Sequence, residues 1–308
     1  ISNLFSEIIG IWIVSSWEEL GKPKIFNFVE LGPGDGSLTK VLLRTFRKFP
    51  EFDSATKIYL YEKSKLLKNV QRDRIKSSRV KWINNFDSIK EGPIIFFGNE
   101  FFDAIPIKQF SKIKENIFEK FFYMSRMTGI SETFHKASKE DKSKIKSFKT
   151  LKENTFIEYP KLGFKELEKI IKKISKLSGG ILLIDYGYLK KVNRSTLQAV
   201  MDNKKINMDS LFKNLGRADI TYLVNFDLLR EFFLKKKLKV KDIVTQKFFL
   251  EKMGILERAG ILKKNMTIRE EKLMELTLMR LLNKELMGDL FKVIFAFKSK
   301  NNNFLGFK

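Results

Sequence analysis

Between Phe26 and Leu43 the chain reads FNFVELGPGDGSLTKVLL. An apolar run (Phe26, Phe28, Val29, Leu31) breaks into glycines at alternate positions, Gly32, Gly34 and Gly36, and Ser37 opens an amphipathic run. The pattern predicts a buried strand, a tight turn and a helix start. Glycines let backbone approach a ligand closely, and a helix N-terminus presents free N–H groups. An acid, Glu30, sits two residues before the first glycine.

Similar apolar runs recur along the chain. KIYLYEKS (57–64) passes through Glu62, RVKWIN (79–84) runs into Asn85 and Phe86, and GPIIFFGNEFFDAIP (92–106) enters a cluster of Asn99, Glu100 and Asp103. ILLIDYGY (181–188) contains Asp185, and FKVIFAFK (291–298) is the last strand. Helical spacing covers 1–20, 65–75, 163–177 and the stretches after Thr245 and Thr267. Strands alternating with helices predict an α/β fold, a doubly wound and mostly parallel sheet with an antiparallel terminal strand. Residues 107–124 read as a hairpin, Pro50 to Ala55 as a loop, and Ser125 to Asn154 as an exposed polar loop or cap. One domain is therefore expected over 1–123 and 157–308, with 124–156 as an insertion. Ligands in such sheets bind outside the carboxyl ends of the strands. Glu30, Glu62, Asn85, Asn99 and Asp185 all fall at predicted strand ends and are expected to share one cleft.

Composition removes several chemistries. There is no cysteine, so disulfides, thiolate nucleophiles and cysteine-based metal sites are excluded, and no metal site is expected. His135 is the sole histidine and lies in a polar stretch, a poor base for a hydrolytic triad. The net charge of +24 raises the question of a polyanion partner. The lysines are spread along the sequence, and no aromatic–basic RNA-binding motif accompanies them, so a compositional bias is the favoured reading and a nucleic-acid partner is not expected. No window has the roughly 18 uncharged apolar residues of a membrane span. The opening ISNLFSEIIGIWIV is short, carries Glu7 and begins with Ile, so the natural N-terminus is expected to lie upstream.

Two nucleotide ligands compete for the glycine loop. A dinucleotide turn needs Gly or Ala at the third position of G-x-G-x-x-G, where this chain has Ser37. The alternating E-x-G-x-G-x-G instead suits S-adenosylmethionine (SAM), which carries an ammonium and a carboxylate rather than a pyrophosphate. Glu30 can serve the ammonium, directly or through water, and loop N–H groups the carboxylate. Glu62, 26 residues beyond Gly36, is placed to accept both ribose hydroxyls, although either ligand would use it. Asn85 and Phe86 are expected at the adenine edge and face, and Asn99 completes the cofactor set.

Several segments occur in order: VELGPGDGSL, YLYEKS, NEFFDAIPIKQF, LLIDYGY, STLQAV, GRADITYLVNF, TQKFFLEKMGILERA and MGDLFKV. Together they resemble the MidA-like family of class I SAM-dependent methyltransferases, which includes the mitochondrial complex I assembly factor. The resemblance covers essentially the whole chain, and NEFFDAIP is its most specific piece. It implies a seven-stranded methyltransferase sheet with a capping insertion, a protein substrate, and in the mitochondrial relatives an arginine of a complex I subunit. It also implies a cytoplasmic location in a bacterium or the matrix in a mitochondrion, and a preceding segment that helps cover the cofactor. The chain departs from the pattern at Asn225, where Asp is usual, at Leu215, where Pro is usual, and at Asn203, near a usual His. An arginine acceptor is cationic and keeps its proton, so carboxylates must hold it as the methyl arrives. Glu100 is expected to orient it, and Asp103 to assist or to hold the loop. Asp185, Asp219 and Glu158 are further acids, which strand-end, capping and surface roles fit equally well. The rival readings are a non-catalytic assembly factor that retains the fold, a nucleic-acid methyltransferase, and a nicotinamide dehydrogenase disfavoured by Ser37.

Overall fold

The computed structural model describes residues 2–125, 129–201, 204–207, 210–211 and 216–307, so Asn203 and Leu215 lie outside the described residues. In chain order the first elements are α1 (Asn3–Glu19), β1 (Phe26–Leu31), α2 (Ser37–Phe46), α3 (Pro50–Ala55), β2 (Thr56–Tyr61), α4 (Lys65–Ile75), β3 (Val80–Ile83) and β4 (Ile94–Asn99). Next come β5 (Lys108–Ile113), β6 (Asn116–Ser125), β7 (Gly129–Lys136), α5 (Lys139–Ser147), β8 (Phe156–Tyr159), α6 (Lys161–Leu177) and β9 (Gly179–Tyr188). The remainder holds β10 (Gln198–Met201), β11 (Lys204–Ile206), β12 (Asp219–Thr221), β13 (Val224–Asn225), α7 (Phe226–Lys235), β14 (Lys239–Val240) and β15 (Val244–Thr245). It closes with α8 (Gln246–Lys252), α9 (Ile255–Lys263), α10 (Ile268–Leu282) and β16 (Phe291–Lys298).

The chain divides into two compact units, one of 1–101, 169–186 and 237–308, the other of 102–168 and 187–236. The first is built on the sheet β14-β16-β9-β4-β1-β2-β3. Its pairings β1–β2, β1–β4, β2–β3 and β4–β9 are parallel. β16 runs antiparallel to β9, as the alternation of strands and helices predicts. A parallel sheet is covered on both faces, which is why its strands are near-continuous apolar runs. Every residue of FNFVEL is buried, including Asn27 and Glu30. α1 packs Leu4, Phe5, Ile8, Ile9, Trp12 and Ile13 into this core, and the Trp12 ring meets Phe295 edge-on at 5.1 Å.

Two local readings are corrected. Pro50 to Ala55 is the short helix α3 rather than a loop. Proline at its start costs no hydrogen bond there, and Glu51 and Asp53 in its first turn favour the positive end of the helix. The polar stretch after Ser125 is not irregular either. GISETFHK forms β7, paired antiparallel with β6, and Ser138 caps α5 by accepting from Asp141 N. Both were obscured because an exposed hairpin strand and a lysine-rich helix carry little apolar periodicity.

In the second unit, β7-β6-β5-β8 form an antiparallel sheet and β11-β10-β12 a smaller one. The expected hairpin is β5–β6. Phe164 stacks on Phe232 at 4.1 Å to anchor α7. Asn225 caps that helix, its side chain accepting from Leu228 N at 3.0 Å.

Candidate functional site

The register of the parallel strands brings the predicted residues to one edge of the sheet. Leu31 lies opposite Tyr61 on one side and Gly98 on the other, so Gly32, Glu62 and Asn99 are the next residues on three adjacent strands. At about 4.8 Å per strand, Glu62 and Asn99 stand roughly 10 Å apart on either side of the glycine loop. Gly32 N donates to Tyr61 O at 3.1 Å, which joins the loop to β2.

The loop itself is left-handed at Gly32, Gly34 and Gly36, with φ of 59°, 55° and 79°. Gly36 is the N-cap of α2, and a Cβ there would press Ile75 at 3.0 Å. A Cβ on Gly34 would meet nothing within 4 Å. The backbone at Gly34 thus faces open space beside the N-terminus of a ten-residue helix, which is where a ligand could lie against it. Asp35 stiffens the outer side of the turn by accepting from Ser37 N and pairing with Arg74. Partial burial pushes its carboxyl up, but the Ser37 N–H and Arg74 outweigh this and hold it below the usual carboxylate range.

The two acids around the loop differ. Glu30 is only 4% exposed, and its carboxylate accepts from the Thr39 hydroxyl, a contact that ties β1 to α2. Burial pushes its carboxyl up to about 8, against the lowering effect of that hydroxyl. Glu62 is held by a network that the sequence did not reveal. Its Oε1 accepts from Ser64 N, and its Oε2 accepts from Gln71 Nε2 at 3.2 Å. The same Gln71 nitrogen donates to Gly34 O at 2.8 Å, while Gln71 Oε1 accepts from the Trp82 indole at 2.9 Å. Gln71 is fully buried, and it fixes the glycine loop and the strand-end acid relative to each other. Its signal was available: Gln71 lies one helical turn before Ile75, the other buried residue of α4.

After β3, Asn85 Oδ1 accepts from Asp87 N and shapes the turn. Phe86 is 5% exposed, between the rings of Tyr61 at 4.9 Å and Phe96 at 5.0 Å. Asn85 and Phe86 line a cavity of about 490 Å³, whose opposite wall is the basic face Lys169, Lys172, Lys173 and Lys176 of α6. Burial, then the neighbouring Lys176, Lys90 and Lys172, hold the Lys173 ammonium below its ordinary pKa, against the opposing charge of Asp87.

At the end of β4, Asn99 Nδ2 donates to Glu100 Oε1 at 3.3 Å, and the Tyr186 hydroxyl donates to Glu100 Oε2 at 3.3 Å. Glu100 is exposed and has φ of 50°, an uncommon conformation for a residue with a side chain. Its N–H donates to Ile184 O at 3.0 Å, so the strained residue is pinned to β9. Asp103 belongs to the other unit, where it is 3% exposed and accepts from the Thr221 hydroxyl at 2.6 Å. The remaining candidate acids are Asp185, Glu158 and Asp219. Asp185 is buried and accepts from Tyr186 N. Glu158 accepts from Gln109, from Thr196 N and from the Thr196 hydroxyl, as a structural hub. Asp219 is exposed on β12. Among the described residues, no group of three metal-ligating side chains converges and no helix is long and apolar enough to cross a membrane.

The arrangement fits a nucleoside with a charged tail. The open glycine at 34 offers backbone, Glu62 offers a held carboxylate one strand away, and Asn99 closes the other side. Comparison with known proteins points the same way. A family described as "Putative S-adenosyl-L-methionine-dependent methyltransferase" matches residues 8–244. The mitochondrial protein arginine methyltransferase NDUFAF7 of Xenopus laevis is 26% identical over 330 residues, spanning 95% of this chain and 71% of that one. The human protein of the same name is 26% identical over 288 residues, with 85% and 64% coverage. A superfamily member from Burkholderia thailandensis, crystallised with S-adenosyl-homocysteine, has the same fold: TM-score 0.82 at 20% identity, over 99% of this chain and 79% of that one.

Proposed function

The chain belongs to this family of S-adenosyl-L-methionine-dependent methyltransferases, and we propose that it methylates an arginine side chain of a protein. The observation that carries the reading is Glu100: an exposed carboxylate in a strained backbone at the end of β4, one residue from the cofactor candidate Asn99. Relatives named as protein arginine methyltransferases support the choice of acceptor. In this reading Gly32, Gly34, Gly36, Glu62 and Asn99 hold SAM, with Asn85 and Phe86 toward its adenine and Glu30 beneath the loop. Bound there, SAM supplies an activated methyl group on a sulfonium.

The chain's own residues then have two tasks. They must align the acceptor nitrogen with the methyl, and they must handle charge, because a guanidinium keeps its proton at neutral pH. Glu100 orients the guanidinium through a charge-assisted hydrogen bond and draws the proton that leaves as the nitrogen is methylated. Asn99 and Tyr186, which both donate to Glu100, keep its carboxylate aimed. Asp103, buried and bonded to Thr221, acts on the loop rather than on the substrate. The mitochondrial relatives support a matrix location if the source is a eukaryote; for a bacterial source the expected location is the cytoplasm.

The test is mass spectrometry of methylated arginines in cells with the wild-type chain, with Glu100→Gln, and with neither. The wild type should add methylarginine to a protein, and Glu100→Gln should remove at least about a hundredfold of that transfer while keeping SAH affinity. Methylation confined to another residue type, or undiminished transfer by Glu100→Gln, overturns the assignment.

A further inference from the structure

A second, smaller cavity of about 140 Å³ opens beside Glu100 in the same unit. Asn99, Glu100, Gln246 and Arg280 give it polar walls, and Phe5 and Met287 give it apolar ones. Gln246, the first residue of α8, is fully buried. Its Nε2 donates to Leu281 O at 3.0 Å, while its Oε1 is buried without a hydrogen-bond partner. Such an oxygen is costly to keep, and on a residue that lines a cavity a donor arriving there would account for it.

We propose that this cavity seats the side chain of the methyl acceptor and that Gln246 is a positioning residue, its Oε1 accepting a hydrogen bond from the incoming N–H group. The inference rests on the methyltransferase reading above and goes further, because it says where the acceptor enters and what holds it. The lining offers acceptors: the buried Gln246 amide oxygen and the exposed Glu100 carboxylate. A carboxylate ligand would find no donor at Gln246 Oε1. A group with several N–H donors and positive charge satisfies both at once, as a guanidinium does with its fork of donors. Phe5 and Met287 suit the methylenes behind such a head. A space of this size admits one small group, of the order of benzene. Arg280 is exposed, so it stands at the mouth, where it can hold a carboxylate of the same substrate without entering the acceptor position.

Ethylguanidine, with ethylurea as the neutral isostere, tests this by ligand-observed NMR on SAH-loaded protein. SAH affinity is measured in parallel by calorimetry, and the melting temperature is recorded. Saturable binding of ethylguanidine is expected, about tenfold tighter than ethylurea. Gln246→Met should weaken ethylguanidine binding about tenfold while SAH affinity stays within about twofold. Gln246→Glu, which keeps an acceptor oxygen, should restore that binding and serves if the Met variant does not fold. Absence of saturable ethylguanidine binding, or an undiminished ethylguanidine affinity in Gln246→Met, overturns the inference. So does a collapse of SAH affinity in that variant, which would assign the amide to the cofactor's methionine end. Guanidinium binding that depends on Gln246, in a protein that methylates no arginine, would uphold the cavity assignment and sink the arginine reading.

Discussion

Glu30 shows how strongly burial acts on one residue. The acid before the glycines is expected to serve the cofactor's ammonium, directly or through water. Buried against Thr39, it has a pKa pushed up to about 8. In the unfolded chain the same group ionises near 4.5. The folded state therefore binds the extra proton, and stability is lost as pH rises from about 4.5 to about 8. Glu30→Gln keeps an acceptor for Thr39 and removes the charge. Its melting temperature relative to wild type should climb between pH 5 and pH 9, by the equivalent of a few kcal/mol at the top of that range. A constant offset across pH would contradict the burial of an ionisable Glu30. The sequence marked Glu30 as important by its place before Gly32, but its depth follows from α2 folding over β1, which no local pattern reports.

Among the elements, α4 is the one whose importance was least visible. It reads as an ordinary amphipathic helix, yet its Gln71 bonds Gly34, Glu62 and Trp82 at once. Gln71→Leu should leave two loop groups and an indole N–H unsatisfied. We expect a loss of about 2–4 kcal/mol in denaturant unfolding and at least a tenfold fall in SAM affinity. Unchanged affinity would mean that the loop holds its shape without α4. By contrast, β1, β2, β4 and β9 were legible because parallel strands are buried on both faces, and their apolar runs end where the sheet ends. β7, α5 and α3 were not, since they are short or solvent-facing and are held by pairing and capping more than by apolar period. TQKFFL stood out only through family resemblance; the buried amide of Gln246 takes its meaning from α10, 35 residues on.

At the scale of the whole molecule, sheet order converts scattered motifs into one edge. Glu62, Gly32, Asn99 and Glu100 are far apart in sequence and adjacent by register. The common position of Glu62 and Asn99 at predicted strand ends was readable, whereas Asp185, expected there too, lies inside β9, which runs on to Tyr188, and Asp103 and Glu158 are buried in bonds of their own. Four of the lysines, which are spread along the sequence, share one face of α6 because residues 169, 172, 173 and 176 fall at helical spacing. The central claim is that the glycine loop and Glu62 hold SAM. Calorimetric titration of SAH into wild type, Gly34→Val and Glu62→Ala tests it most directly. A Cβ at Gly34 meets no heavy atom within 4 Å, so Gly34→Val should cost about 1–2 kcal/mol of stability, mainly from its left-handed backbone. Saturable binding to wild type, with losses of at least about tenfold in both variants, is the predicted result. Equal affinity in all three proteins, or no binding to the wild type, would contradict it.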